Sequence, residues 1–402
     1  MRILYYSAHP YLNLSALSGP GTHMRKVIGA FREQEHEVVT CILGGEHLYG
    51  TLGITLTNSG LKYKFKSIIP ALAWQSLKDI QFIRHDKKAE RILEEQIRIY
   101  KPDLIYERGF YMMCSGVNAS KKAGIPHILE MNAPYPEEKI ELEGKSLLLK
   151  ISKSREKIQV ESTSMMVVVS SALRDYYEKK YPSIKGKILI TPNAIDPTDF
   201  QKAKFNTEAA KMKLELKPTN QVIGFVGSIF PYHGVDRLLE AFAEICEEKN
   251  LNDARLLIVG DGEILQQLKD RSKTLGIAQK VIFTGNVPSH EVQQYIAAMD
   301  ITVLANSKWY CSPIKIFEYG AMGKAVISIN TIAVRDVMQN DKTGLLIDNI
   351  VELKTAILSL LQDEEKLKKL AKNWEQQVFD KHTWSAVGKN ILHFFHSLNQ
   401  HK

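Results

Sequence analysis

Apolar runs of strand length recur along the chain and are separated by stretches with helical periodicity. In the first half, runs at 2–7, 37–42, 102–106, 126–131, 164–169 and 187–191 predict β-strands. Met24, Val27, Ile28 and Phe31 fall at i, i+3, i+4 and i+7, which predicts a helix over 22–34. The second half restarts the rhythm, with strands expected at 221–227, 255–259, 281–283, 301–304, 325–329 and 344–347. Val235, Leu238, Leu239 and Phe242 mark one apolar helix face between the first two of these. Nearly continuous apolar strands alternating with helices predict parallel sheets covered on both faces. The expected fold class is therefore α/β, with two Rossmann-like, doubly wound sheets in tandem. Between the halves, 202–220 is polar and lysine-rich. The expected domains are 1–205 and 206–382, and a terminal helix is expected at about 383–402. Ligands of such sheets bind at the carboxyl ends of the strands, so a cleft between the domains is expected.

Composition narrows the class. The 402 residues are 44% hydrophobic and 24% charged, ordinary for a globular protein with more than one core. Cys41, Cys114, Cys246 and Cys311 show no CxxC or metal spacing, which argues against a disulfide scaffold and for a reducing compartment. No apolar run reaches membrane-span length, and Met1–Ser7 reads as a strand and not as a signal peptide. A cytoplasmic protein is expected. Residues 1–200 hold 28 Lys and Arg against 22 Asp and Glu. Lys62, Lys64, Lys66, Trp74, Lys145, Lys150, Lys153, Arg155 and Lys157 suggest peripheral contact with an anionic membrane at its inner face, or else solvated helix faces. No nucleic-acid recognition motif accompanies the charge.

Three segments carry candidate chemistry. Ser18-Gly-Pro-Gly-Thr-His23 follows the first strand, and Gly19 and Gly21 would let backbone N–H groups approach an anion; an ordinary helix start is the plain alternative. Val38–Ile42 ends without an acid, which argues against a dinucleotide cofactor. Gly227 closes a strand before Ser228 and His233, and a helix is expected from Gly234. Ser312 and Pro313 read as the cap and first residue of another helix, on which Lys315 and Glu318 share a face. They suit a phosphate and a diol, or form an exposed ion pair worth a few tenths of a kcal/mol. No Asp-x-Asp and no ligand-spaced His is present, so no metal is expected.

Taken in order, Gly227-x5-His233-Gly-Val-Asp236, Leu257-Ile-Val-Gly-Asp-Gly262, Phe283-Thr-Gly-x-Val287 and Ser312-Pro-x-Lys-x-x-Glu-Tyr-x-Ala-x-Gly-Lys324 resemble glycosyltransferase family 4. Gly19-x-Gly21-x-His23, Asp103–Arg108, Glu130-Met-Asn-Ala-Pro134 and Thr191–Asp196 extend the resemblance over most of the chain. It implies a GT-B fold whose last helix, about 383–402, packs back on the first domain and is not a plain terminal helix of the second, and a retaining, metal-independent transfer of a sugar from a nucleotide-sugar, a UDP-sugar first. The acceptor would be a glycan, a lipid-linked or a small molecule, in polysaccharide, glycolipid or glycoconjugate synthesis. It further implies donor binding by Gly227, Ser228, His233, Gly285, Val287, Tyr310, Ser312, Pro313, Ile314, Lys315 and Glu318. Asn132, His233 and Lys315 would be catalytic, and Gly19, Gly21, His23 and Arg108 would form an acceptor-side loop. Ser228, His233 and Tyr310 stand where the family usually carries Arg, Lys and Glu. A sugar-nucleotide 2-epimerase of the same architecture and a non-catalytic nucleotide- or glycan-binding protein are the alternatives.

Overall fold

The computed structural model describes residues 1–15, 19–44, 70–200, 205–248, 251–288 and 290–400. Ser18, Lys62, Lys64, Lys66 and Lys202, singled out above, lie outside the described residues. Every strand expected from the apolar runs is present. In the first unit these are β1 (Arg2–Ser7), β2 (Glu37–Ile42), β3 (Leu104–Arg108), β4 (His127–Met131), β5 (Met165–Val168) and β6 (Ile188–Ile190). They pair in parallel in the order β2-β1-β3-β4-β5-β6. In the second unit β7 (Gln221–Val226), β8 (Ala254–Val259), β9 (Val281–Gly285), β10 (Ile301–Leu304), β11 (Ala325–Ile329) and β12 (Leu345–Ile347) form a sheet in the order β12-β11-β10-β7-β8-β9.

The central strands are buried from end to end. Leu104, Ile105, Ile128, Leu129, Met166 and Val168 are wholly inaccessible. Each such side chain contributes about 1.5–3 kcal/mol of burial, which explains why these runs lack polar alternation. The exceptions sit at the strand ends. β3 runs two residues further than the apolar run implies, because Arg108 is in register with Glu130 of β4.

The strand order locates the point where each winding reverses. It lies between β1 and β3 in the first sheet and between β7 and β10 in the second. The loops that leave those strands diverge there, and ligands of open α/β sheets occupy that crevice.

The compact units comprise Met1–Thr191 with Val387–Lys402, and Pro192–Ala386. The chain thus changes unit ahead of the 205/206 boundary expected above. The polar stretch that looked like a connector is a part of the second unit from Phe205 onward. Asn206 caps a helix, Thr207–Lys213, and Lys211 is buried against Asp300 at 2.9 Å. The last helix, Trp384–Gln400, rejoins the first unit at Val387, where Gly388 lies against Ala30.

Behind the second sheet, Trp374 is fully buried and donates its indole N–H to the Ile316 carbonyl at 2.8 Å. This pins the Ile314–Ala321 helix, which carries Lys315 and Glu318. Gly320 leaves the space for the indole, since a Cβ there would stand 2.5 Å from its nitrogen. Gly320→Ala is therefore expected to lower the unfolding free energy in urea by about 1–3 kcal/mol, through overpacking.

Candidate active site

At the β1/β3 reversal of the first unit, a buried carboxylate gathers the polar side chains. Glu130 accepts from Arg108 Nη1 at 2.6 Å, Tyr106 Oη at 2.7 Å and Asn132 Nδ2 at 2.6 Å. His23 Nε2 lies 3.0 Å from the same carboxylate. Burial alone would raise the pKa of Glu130, but the charges of His23 and Arg108 outweigh it and hold the carboxyl well below the usual range. His9 leaves β1 beside this group, with its ring centroid 3.9 Å from that of Phe110. Desolvation and the Arg108 charge push His9 down to about 3, and its Nδ1 accepts from Tyr11 N–H, so the neutral ring carries its proton on Nε2.

His23, Arg108 and Asn132 are thus brought together on one carboxylate. Gly19 and Gly21 are not a loop. They form the first turn of a helix, Gly19–Arg32, that begins three residues earlier than the periodicity implies. Pro20 fits there because first-turn N–H groups have no intrahelical partner. Trp74, expected on a basic surface, is only half-exposed.

At the β7/β10 reversal of the second unit, the site is built on glycine and one cation. Gly227 ends β7 with φ 137° and Gly260 follows β8 with φ 134°. A Cβ on Gly260 would stand 2.0 Å from the Gly227 carbonyl oxygen, so these loops pass at backbone contact. Gly260 N–H donates to Gly285 O, which brings the β9 end and Val287 to the same edge. Gly260 therefore joins the ends of β7 and β9.

Lys315 Nζ sits over the Phe225 ring, 4.1 Å from its centroid, and a Cβ on Gly227 would stand 2.7 Å from it. It is buried and has no hydrogen-bond partner among the described residues. Desolvation lowers its pKa to about 7, and the Glu318 charge only partly opposes this. Desolvation raises Glu318 to about 7 as well, with Lys315 opposing and Asp199 adding to the shift. The exposed ion pair offered as an alternative is thus not what forms. Both groups are pushed toward neutrality, and no salt bridge joins them among the described residues.

His233 Nδ1 lies 2.6 Å from the Ser228 carbonyl oxygen, which can only accept, so the proton is on Nδ1. Burial, then the Lys315 charge, lower this histidine to about 4. The neutral ring offers a lone pair at Nε2, so it can donate to an anion only after gaining a second proton. Ser228 itself is exposed.

The loop after β10 meets this one. Asn306 N–H donates to the His233 carbonyl at 3.2 Å, and Gly234, with φ 68°, ends the turn that starts the Val235–Cys246 helix. Further on, Ser312 is not the helix cap. Pro313 holds that position, and Ile314 begins the helix. Ser312 Oγ instead accepts from Asn193 N–H at 3.0 Å, and its carbonyl accepts from the Asn193 amide, so Thr191-Pro-Asn fastens the helix start. Tyr310 is buried at 2% exposure, while its edge-to-face neighbour Trp309 is 45% exposed.

Sequence reasoning missed Glu130 as the organising group, and also Tyr106, His9, Phe225 and Asn193. A signal existed for the first: Glu130 and Arg108 interrupt central apolar strands at matching ends.

The comparisons with known proteins follow this division. A family model described as Glycosyltransferase Family 4 matches residues 17–199, and one described as Glycosyl transferases group 1 matches 206–377. An alpha-maltose-1-phosphate synthase of Mycolicibacterium smegmatis is 21% identical over 74% of this chain and 79% of its own length. A UDP-Gal:alpha-D-GlcNAc-diphosphoundecaprenol alpha-1,3-galactosyltransferase of Escherichia coli is 23% identical, over 73% and 75%. The match to an uncharacterized glycosyltransferase of Methanocaldococcus jannaschii, at 22% identity, spans 57% of this chain and 59% of that protein. Among solved structures, Anabaena HepE in complex with UDP superposes with a TM-score of 0.72 at 16% identity, over 99% of this chain and all of that one. Sucrose-phosphate synthase of Thermosynechococcus elongatus gives 0.73 at 16% identity, over 100% and 99%.

Glu130→Gln should strand the Arg108 charge and cost about 3–5 kcal/mol at neutral pH. The carboxylate contributes its stability above the unfolded acidity constant and loses it as pH falls. The gap between variant and parent should therefore be full at about pH 7 and shrink below about pH 4 in urea unfolding.

Proposed function

Because the chain belongs to the GT-B glycosyltransferases of family 4 type, we propose that its second unit binds a nucleoside-diphosphate sugar and that its first unit presents an acceptor hydroxyl. The observation that carries this reading is the buried, unpartnered ammonium of Lys315 at the β7/β10 reversal. An uncompensated buried cation costs free energy unless an anion completes it. A diphosphate supplies that anion, and the glycine-lined ends of β7 and β8 leave room for its oxygens. Glu318, one helical turn on, takes the ribose hydroxyls. Gly285 and Val287 face the base, and Trp309 with Tyr310 stands beside the sugar.

UDP is the first choice of carrier. HepE was solved with UDP, and the Escherichia coli relative is named for UDP-Gal and a diphosphoundecaprenol-linked acceptor. A glycan or lipid-linked acceptor follows from the same likeness. In the reaction the acceptor oxygen bonds to the anomeric carbon as the bond to the diphosphate breaks. The departing phosphate oxygen takes the acceptor proton, which gives retention on one face without a protein nucleophile. Lys315 holds the charge that develops on the leaving group, and no metal is required for that. His9, Arg108, His23 and Asn132 orient the acceptor, with Glu130 fixing three of them.

Two outcomes test this. In calorimetry, UDP should bind with uptake of close to one proton at about pH 8, above the free Lys315 constant of about 7, because the bound anion restores the ammonium. Lys315→Met should abolish that uptake and the affinity, yet raise the unfolding free energy of the empty protein by about 1–3 kcal/mol by removing a buried unpaired charge. Second, NMR of the product from UDP-glucose or UDP-galactose and an acceptor should show the donor's anomeric configuration, with the rate unchanged by a chelator. A new sugar-nucleotide signal from donor alone would favour the epimerase instead.

A further inference from the structure

Among the described residues, exposed apolar side chains gather on one face of the first unit. Leu72, Leu77 and Ile80 line the start of the Ala71–Tyr100 helix, and Leu142, Leu147 and Ile151 line the corner between the helices Tyr135–Glu143 and Leu149–Ser162. Leu147 is 72% exposed. The two stretches are fastened together. Gln75 Nε2 donates to Glu143 O at 2.8 Å, and Leu147 N–H donates to Ser76 Oγ at 2.9 Å. The six side chains therefore flank a single seam. Contiguous exposed apolar area of this kind marks an interaction surface.

Charge frames it on both sides. Leu77, Ile80, Arg84, Lys87 and Arg91 follow one another at helical spacing on the solvent face. The acids of the same stretch are turned inward: Asp79 faces Lys139 at 3.3 Å, and Asp86 binds Arg155 and the N–H groups of Cys114 and Ser115. Beyond the corner, Lys145, Lys150 and Lys153 are exposed. Of the acids at the corner, Glu143 is paired with Lys78 at 3.0 Å and Glu141 is exposed.

We propose that this face docks on an anionic bilayer, its leucines and isoleucines entering the headgroup boundary and its basic rim meeting lipid phosphates. The basic rim selects this occupant over a second copy of the chain, because two such rims would repel. The inference does not rest on the donor site, and it supplies a surface from which a lipid-linked acceptor is reached.

The full chain is sedimented with vesicles of phosphatidylcholine alone, or of equal parts phosphatidylcholine and phosphatidylglycerol, at low and high salt. It should pellet with the anionic vesicles only, and less at high salt. Lys87→Gln with Lys150→Gln should weaken the partition about twenty-five-fold, at about fivefold per lysine. Leu147→Asp with Ile151→Asp should weaken it at least tenfold, a lower bound from losing two buried aliphatic groups. Both variants should keep the parent's circular dichroism and its UDP affinity. The lysine variant, altered only at solvated positions, decides the matter if the apolar one fails to fold. Equal recovery in the supernatant with both lipids overturns the proposal. So does pelleting that the apolar variant leaves intact, or a dimer in light scattering that the same variant dissolves. A parent that binds vesicles but no UDP would sink the donor reading and leave this one standing.

Discussion

A cation taken out of water without a hydrogen-bond partner is the constraint around which the second unit is arranged. Lys315 is held over Phe225 and against Gly227. A cation–π contact of this kind recovers about 2 kcal/mol when desolvated, less than a buried ammonium loses. The protein retains the deficit through rigidity. Trp374 anchors the helix from behind, Asn193 ties its start at Ser312, and Tyr319 Oη accepts from Val226 N–H at the end of β7. None of these contacts touches the ammonium itself. All of them fix the helix that carries it.

The first unit solves the opposite problem. Around Glu130 the buried polar groups are paired, with four donors converging on the one carboxylate. A satisfied network fixes geometry, whereas an unsatisfied cation awaits a ligand. The two halves thus use burial differently: one holds side chains in fixed places, and the other leaves a buried ammonium without a hydrogen-bond partner among the described residues. Both arrangements sit where a doubly wound sheet reverses, because only there do neighbouring loops part.

Much of this was legible in the sequence. Strands buried on both faces need unbroken apolar runs, so all twelve appeared as such, and the glycines at Gly227 and Gly285 announced the loops of the second site. What was illegible depended on three-dimensional partners. A Lys and a Glu three apart on a helix look like a solvated pair, and nothing local says that the lysine nitrogen is buried and joined to the Glu by no salt bridge among the described residues. The serine before Pro313 has the chemistry of a cap, yet its hydroxyl is claimed by Asn193, more than a hundred residues away in the chain. His233 reads as a phosphate donor until its proton is traced to the Ser228 carbonyl. The 202–220 stretch reads as a connector because polarity alone cannot show that Lys211 is buried beside Asp300.

The last helix has a consequence for biosynthesis. From Val387 onward it belongs to the unit that begins at Met1, and Ile391, Leu392 and Phe395 are buried there. A domain emerging first from the ribosome would ordinarily fold while the remainder is translated. Here its helical layer stays incomplete until residues 387–400 are translated, so the nascent first unit waits with an uncovered flank through synthesis of the entire second unit. Loss of Ile391, Leu392 and Phe395 would accordingly be felt in a unit whose first strand lies almost four hundred residues earlier in the chain.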